Sequence, residues 1–380
     1  MSDDAFDVVV IGAGVFGLAT SLELAKRGHR VAVIDRWGIG HPVTSSTGAS
    51  RSIRVSYDHP VYVGLALQAI EAWRALEAET GRTILHLTGQ IDLGPADKLA
   101  ALASTVAAAG LPMRDIGANE TRALFPELRL KPGERALFHE QAGTVLAEAG
   151  LAALLQAAVS RGVVVRAPER VTRIRGEAPL VIDTDRGSLS AGRIVIAAGP
   201  WTGELLAMLG LGLPLSPAIA QVTFLSAPEL VDRPGLVEWQ AFGATGIYAH
   251  PVPGIGYKIA LDAGSEGWDP DTEEWGPVLA EERQVLDWLS SRLTLAAVTV
   301  QRTQRHPWTM TPDADFVIGA SLKGAVTLAC GCSGHAFKFG PALGPLVADA
   351  LEGRAIPELF SPARPGLRAA APSPAAPITR

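Results

Sequence analysis

Cysteine is scarce in this chain: Cys330 and Cys332 are the only two in 380 residues. Two positions apart, they are too close for an easy bridge. They offer neither a disulfide framework nor a zinc site, and a reducing compartment fits best. No metal is expected. No stretch concentrates Lys and Arg; 33 basic side chains stand against 39 acidic ones, for a net charge of −6. That balance argues against a nucleic-acid partner or a polybasic contact with a membrane. The opening segment, MSDDAFDVVVIGAG, is acidic where a signal peptide would be basic, and the apolar stretch after it is broken by glycines and by Glu23. Neither a signal nor a membrane span is read there, so a cytoplasmic protein is expected. An internal repeat is also missing. The closing residues 361–380, SPARPGLRAAAPSPAAPITR, are rich in Pro and Ala without periodicity. They read as a disordered tail.

What remains is an ordinary globular composition, 48% hydrophobic and 19% charged, in a chain long enough for two domains or one large one. Its first unit, FDVVVIGAGVFGLATSLELAKRGHRVAVID, reads as a strand (Val8–Ile11), a glycine turn, a helix ending near Gly28, and a second strand (Val31–Ile34) closed by Asp35. A lone glycine turn is weak evidence. Between two strands, with the acid at this distance, it points to dinucleotide binding: Gly12 permits the tight turn, Gly14 lets the backbone approach a pyrophosphate, Gly17 lets helix and strand pack closely, and Asp35 can hold a ribose hydroxyl. The stretch that follows is polar and rich in small residues, and carries Arg51 and Arg54, then a helix with Leu67, Ile70, Trp73 and Leu76 on one face. Three apart, the two arginines share one side of a helical turn; taken alone, they also read as surface arginines of a solvated loop.

From residue 145 the chain alternates again. A helix (Ala147–Arg161) leads to short strands, a hairpin turning at DRG, and the apolar run RIVIAAG, which ends in small residues as a buried parallel strand does on meeting a ligand. Residues 216–310 differ in texture, with short strands around one helix, and read as a mostly antiparallel second domain inserted into the first. Residues 311–360 return to the first character. There the apolar run GAVTLA meets CGCSGHAFKFG, placing Gly334, His335 and Lys338 where a strand ends and a helix begins. A lysine and a histidine beside two phenylalanines either face solvent or meet something anionic at the helix N-terminus. The fold class is therefore α/β, α+β overall: a discontinuous Rossmann-type domain (1–84, 145–215 and 311–360) with an inserted mixed or antiparallel-sheet domain (85–144 and 216–310).

Taken in order, the glycine fingerprint, GASRSIRVSY, RIVIAAGPWT, GYKIALD, WTMTPDADFVIG and GCSGHAFKFG resemble the FAD-dependent amine oxidoreductases of the monomeric sarcosine oxidase and N-methyltryptophan oxidase family. The resemblance runs from about residue 6 to 358. It implies FAD as cofactor, with Gly12, Gly14, Gly17, Asp35, Arg36, Ser50, Arg51, Val171, Ala198, Gly199, Trp201, His306, Gly334, His335, Phe337 and Lys338 at its site. It also implies that Arg54 and Lys338 hold a substrate carboxylate, that Lys258 assists electron transfer to O2, and that Arg51 lies on the same flavin face. Without the resemblance, Lys258 reads as a surface lysine on a half-exposed strand. Tyr248 matches a pocket tyrosine or belongs to the core. His335 tunes the pocket or caps its loop.

The activity so implied is oxidation of the C–N bond of a secondary or N-substituted amino acid to an imine, with O2 reduced to hydrogen peroxide, by a monomer whose partners are a carboxylated amine and O2. Two alternatives stand beside it: a dehydrogenase using another electron acceptor, and a flavin-holding subunit of low turnover. Three departures from the family pattern bear on this. Asp262 stands where small-substrate members have a histidine, Trp308 replaces a tyrosine, and His306 replaces the cysteine that bonds the flavin. Because Pro307 restricts the backbone of His306, noncovalent FAD is expected. The amine itself is not legible.

Overall fold

The computed structural model describes residues 4–272, 275–321 and 324–368. Two large sheets organise the chain. The first has eight strands, running Val171–Arg175, Leu180–Thr184, Gly187–Ile196, Ala5–Ile11, Val31–Ile34 and Val164–Arg166, with Val326–Cys330 also on Gly187–Ile196 and Val317–Ala320 beyond it. Its central pairs are parallel. Val8, Val9, Val10, Val33, Ile194 and Val195 are fully buried, which is why these strands are apolar at every position rather than at alternate ones. Helices Val15–Lys26, Ala147–Val159 and Gly340–Leu351 cover one face.

The second sheet has nine strands and is antiparallel apart from the pair Gly235–Phe242 with Gln90–Leu93. Here the side chains divide by face. Leu225, Leu236, Ile247, Ala249, Tyr257 and Ile259 pack with Val285, Trp288 and Leu289 of the helix Leu279–Arg292. Phe224, Tyr248, Lys258 and Ala260 alternate with them and face the other way. Lys258 is 2% exposed. It is not a surface lysine.

Two expectations need correction. Arg51 and Arg54 do not share a helical turn: Ser50–Ile53 is a strand paired with Gly143–Leu146. An odd spacing on extended backbone sends side chains to opposite faces, and the two guanidinium groups diverge. The closing segment is not disordered as a whole. Arg364, 5% exposed, donates to the Asp313 carboxylate at 2.7 and 2.8 Å and to Phe316 O, while Leu367 is buried. Its Pro-rich composition hid one guanidinium with a partly buried partner. Residues 369–380 lie outside the described residues. Among the described residues no helix is long and apolar enough to cross a membrane.

Candidate functional site

A long cavity lies between the two sheets, from the turn at Gly12–Gly14 to Lys258 and Trp308. At one end the glycine turn is sterically obligatory. Gly12 has φ +106°, and a Cβ on it would lie 2.3 Å from Ala197 O; one on Gly17 would lie 1.7 Å from Gly12 O. Gly17 therefore sits under the turn rather than on the cavity wall. Ser46 Oγ accepts from Val15 N–H at 3.0 Å and closes the first turn of the helix. The Asp35 carboxylate accepts from Ala13 N–H at 2.8 Å, Trp37 N–H at 3.0 Å and Gly38 N–H at 3.1 Å, tying both loops of this end together. Beside it the Arg36 guanidinium lies over Trp37 and Trp201, 4.9 and 5.5 Å from the ring centres, and pairs with Asp271 at 3.0 Å. Val171, Ala198 and Gly199 complete this end.

At the far end Arg51 donates to the carbonyls of Ser50, Ser45 and Thr47 at 2.8, 2.9 and 2.6 Å, and its guanidinium lies 5.5 Å from the Phe337 ring. Lys258 Nζ donates to Ser50 O at 3.0 Å. Ser50 thus serves the site through its carbonyl, with its hydroxyl unpaired. Burial, with the charges of Arg51 and Lys338 adding, pulls the Lys258 pKa well below the ordinary lysine range. Tyr248 lines the same wall, its ring 5.9 Å from Lys258 Nζ; burial, with Asp262 adding, raises its hydroxyl to about 12. His306 and Trp308 follow, and Gly334 closes the wall.

Arg54 and Lys338 do not line this cavity; they meet beside it. The Arg54 guanidinium lies 4.6 Å from the Tyr57 ring centre and 4.9 Å from that of Trp239, and donates to Ser56 O. Lys338 Nζ lies 5.9 Å from the same Tyr57 ring and donates to His335 O at 2.8 Å. Both are buried, at 8% and 6% exposure, and neither has a carboxylate partner among the described residues. Burial and the charge of Arg54 pull the Lys338 pKa well below the ordinary value.

His335 is not in the cavity. Its Nε2 lies 3.1 Å from Ala314 O and its ring packs against Tyr57, Tyr62 and Phe316. Of the two roles open to it, the structure favours the loop cap, and its carbonyl holds Lys338. Reading the sequence missed Trp37, Ser46, Asp271 and Trp239. Only Ser46 carried a signal, as part of a run of small residues; the others join the site through tertiary contacts.

Among the described residues, five buried polar atoms on the cavity wall have no hydrogen-bond partner: Arg36 Nη1, Trp37 Nε1, Ser45 Oγ, His306 Nδ1 and Trp308 Nε1. Buried donors and acceptors are rarely left so. A turn built for a pyrophosphate at one end and unpaired polar atoms along an apolar slot fit a long dinucleotide with its own hydrogen-bonding groups. Residues 7–350 match the FAD dependent oxidoreductase family. The chain belongs to it. It is 32% identical over 359 residues to the monomeric sarcosine oxidase of Streptomyces avermitilis, covering 90% of this chain and 93% of that one. The N-methyl-L-tryptophan oxidase of Yersinia pestis is 27% identical, over 90% of this chain and 94% of the relative. NikD, described as an unusual amino acid oxidase essential for nikkomycin biosynthesis, superposes with a TM-score of 0.81 at 26% identity, covering 93% and 95% of the two chains. The chain is thus an FAD-dependent amine oxidoreductase with the fold of the sarcosine oxidases.

Proposed function

We propose that this chain is an oxidase of secondary or N-substituted amino acids, acting as a monomer. The observation that carries the reading is the pair Arg54 and Lys338: two buried cations over one tyrosine ring, held by backbone carbonyls and, among the described residues, with no carboxylate in hydrogen-bonded or ion-paired contact. A buried charge without a counter-ion is costly. A ligand carboxylate supplies one, with the planar guanidinium offering a two-pronged fork and the ammonium a point charge.

FAD supplies an acceptor for the hydride equivalent lost from the carbon next to nitrogen, and passes the electrons on to oxygen. Gly12, Gly14 and the loop braced by Asp35 would hold its pyrophosphate and ribose, Arg36 and Trp201 its adenine end, and Gly334, Ala336 and Phe337 its pyrimidine end. Arg54 and Lys338 orient the substrate by its carboxylate. Lys258 and Arg51 stabilise the negative charge that develops as oxygen is reduced. The hydride equivalent leaves only from the neutral amine, and the covered cavity keeps water from the reacting carbon. On this reading FAD is held noncovalently, because His306 stands where the family has its flavin-bonding cysteine and Pro307 restricts the backbone of His306.

Anaerobic mixing of the holoenzyme with N-methyl, cyclic and primary amino acids tests the reading. Loss of flavin absorbance with at least one secondary amino acid is expected, with recovery and peroxide release when air is admitted. No bleaching with any of them overturns it; bleaching without recovery in air makes the enzyme a dehydrogenase. Acid precipitation should leave the yellow colour in the supernatant, and colour in the washed pellet defeats the noncovalent assignment.

A further inference from the structure

One charged side chain of this region has no part in the scheme above. Asp262 stands just past the strand Gly256–Leu261, and its N–H donates to Gly246 O at 2.9 Å. That bond continues the ladder in which Tyr248 faces Ala260 and His250 faces Lys258. Alternation then puts Lys258, Ala260 and Asp262 on one face of the sheet, with Tyr248 between the neighbouring strand's Gly246 and His250. Tyr248 and Lys258 of that face line the cavity. Across from Asp262 there is no side chain, because Gly246 is there; a Cβ on it would lie 3.6 Å from Asp262 Cβ.

Two indoles flank this position. Trp239 belongs to the next strand on the same face, two residues past Val237, which pairs with Tyr248, and it carries the Arg54 guanidinium at 4.9 Å. Trp308 packs against Gly264, two residues after Asp262, so closely that a Cβ there would lie 2.5 Å from its ring. Its Nε1 is buried, unpaired and on the cavity wall. The Asp262 carboxylate itself has no hydrogen-bonded or ion-paired partner among the described residues. Burial pushes its pKa up to about 6, against the opposing charges of Arg54, Lys338 and Lys98.

Two cations and one carboxylate, none of them in a hydrogen-bonded ion pair, are the complement of a zwitterion. We infer that Asp262 receives the cationic nitrogen of the substrate on binding and takes up its proton before the hydride equivalent leaves, while Arg54 and Lys338 receive its carboxylate, so that the pocket admits an amino acid with one carboxylate and turns away one bearing a second carboxylate on nitrogen. Trp308 supports the same end: an indole beside a carboxylate suits an alkylated ammonium, which is attracted by both the ring face and the charge. A second carboxylate would meet Asp262 as a like charge, which is how a site rejects a close analogue. The inference rests on the proposed carboxylate clamp.

The test uses the holoenzyme and a pair of unreactive ligands of the same shape, N,N,N-trimethylglycine and 3,3-dimethylbutyrate, which differ in the charge at one atom. Each is titrated while flavin absorbance is followed. The wild type should favour the cationic ligand by about tenfold or more, the value of one charge-assisted contact. In Asp262→Asn the two should bind within about twofold of each other, with 3,3-dimethylbutyrate no weaker than before. A second measurement compares anaerobic flavin reduction by the N-methyl and N-carboxymethyl derivatives of one amino acid; Asp262→Asn should raise the relative rate of the dicarboxylate about tenfold. A ligand ratio and a rate ratio that Asp262→Asn leaves unchanged overturn the inference. Arg54→Ala separates the two readings. It should weaken both ligands together, and if it weakens neither, the clamp fails while the Asp262 ratios still decide the amine side.

Discussion

Two buried arginines, on the two faces of one sheet, have opposite company. Arg292, on the helix Leu279–Arg292, is 2% exposed and donates to Glu134 at 2.8 Å and to both oxygens of Glu238. Burial acts to lower its pKa, but the carboxylates of Glu238 and Glu134 outweigh burial and hold it above the ordinary value. Arg54, on the cofactor side, is buried nearly as deeply and has a backbone carbonyl and two aromatic rings. Both side chains must offset the same desolvation. Arg292 does so with charges from its own chain and so belongs to the fold. Arg54 leaves the offset incomplete, and on the proposed reading a ligand carboxylate supplies the missing charge. The same contrast separates Lys98, paired with Asp58 at 2.7 Å, from Lys338.

Removing each cation should expose that difference. Arg292→Ala leaves Glu238 and Glu134 facing each other without their cation, and breaking a buried pair costs roughly 3–5 kcal/mol. Chemical denaturation should show that loss, while the affinity of folded enzyme for a carboxylated amine stays unchanged; an unchanged midpoint would end the comparison. Lys258→Met comes next in size. Its cation also has no ion-paired acid among the described residues, but it sits with Arg51 rather than at the proposed carboxylate clamp. Anaerobic reduction by amine should therefore stay within about tenfold, while reoxidation by O2 slows about 100-fold or more, the scale of losing one preorganised charge. Stopped-flow mixing with oxygen reads it, and normal reoxidation would take the oxygen step away from this residue. The smallest effects belong to Arg54→Ala and Lys338→Met. Each should weaken carboxylate binding by about tenfold or more, at roughly 1.5–3 kcal/mol per charge-assisted contact, with FAD content and denaturation midpoint held. A variant that lost stability instead would be behaving as Arg292 does.

The glycine fingerprint was legible because it is local: Gly12, Gly14, Gly17 and Asp35 lie within one strand–helix–strand unit, and backbone sterics dictate their identity wherever that unit forms. Lys258 was less so: on its residues alone it reads as a surface lysine, and only the second sheet's packing buries its face. What failed was local pattern applied to positions decided elsewhere. Arg51 and Arg54 look alike three residues apart, but a strand partner paired across 90 to 96 positions, Gly143–Leu146, turns them to different faces. Arg364 looked like part of a disordered tail because composition does not reveal that Asp313 waits for it.

By itself, then, the sequence determined the dinucleotide unit, the alternation of the two sheets and the set of cations available for chemistry, since these depend on residue type and short-range periodicity. Only the tertiary structure decided which cations have counter-charges, because that is a matter of long-range approach: Arg292 meets Glu134 and Glu238 across 158 and 54 positions, and Arg54 meets Trp239 with no acid in contact. A charge in a sequence is the same charge everywhere. Its cost, and therefore its meaning, is set by what folding brings within a few ångströms of it.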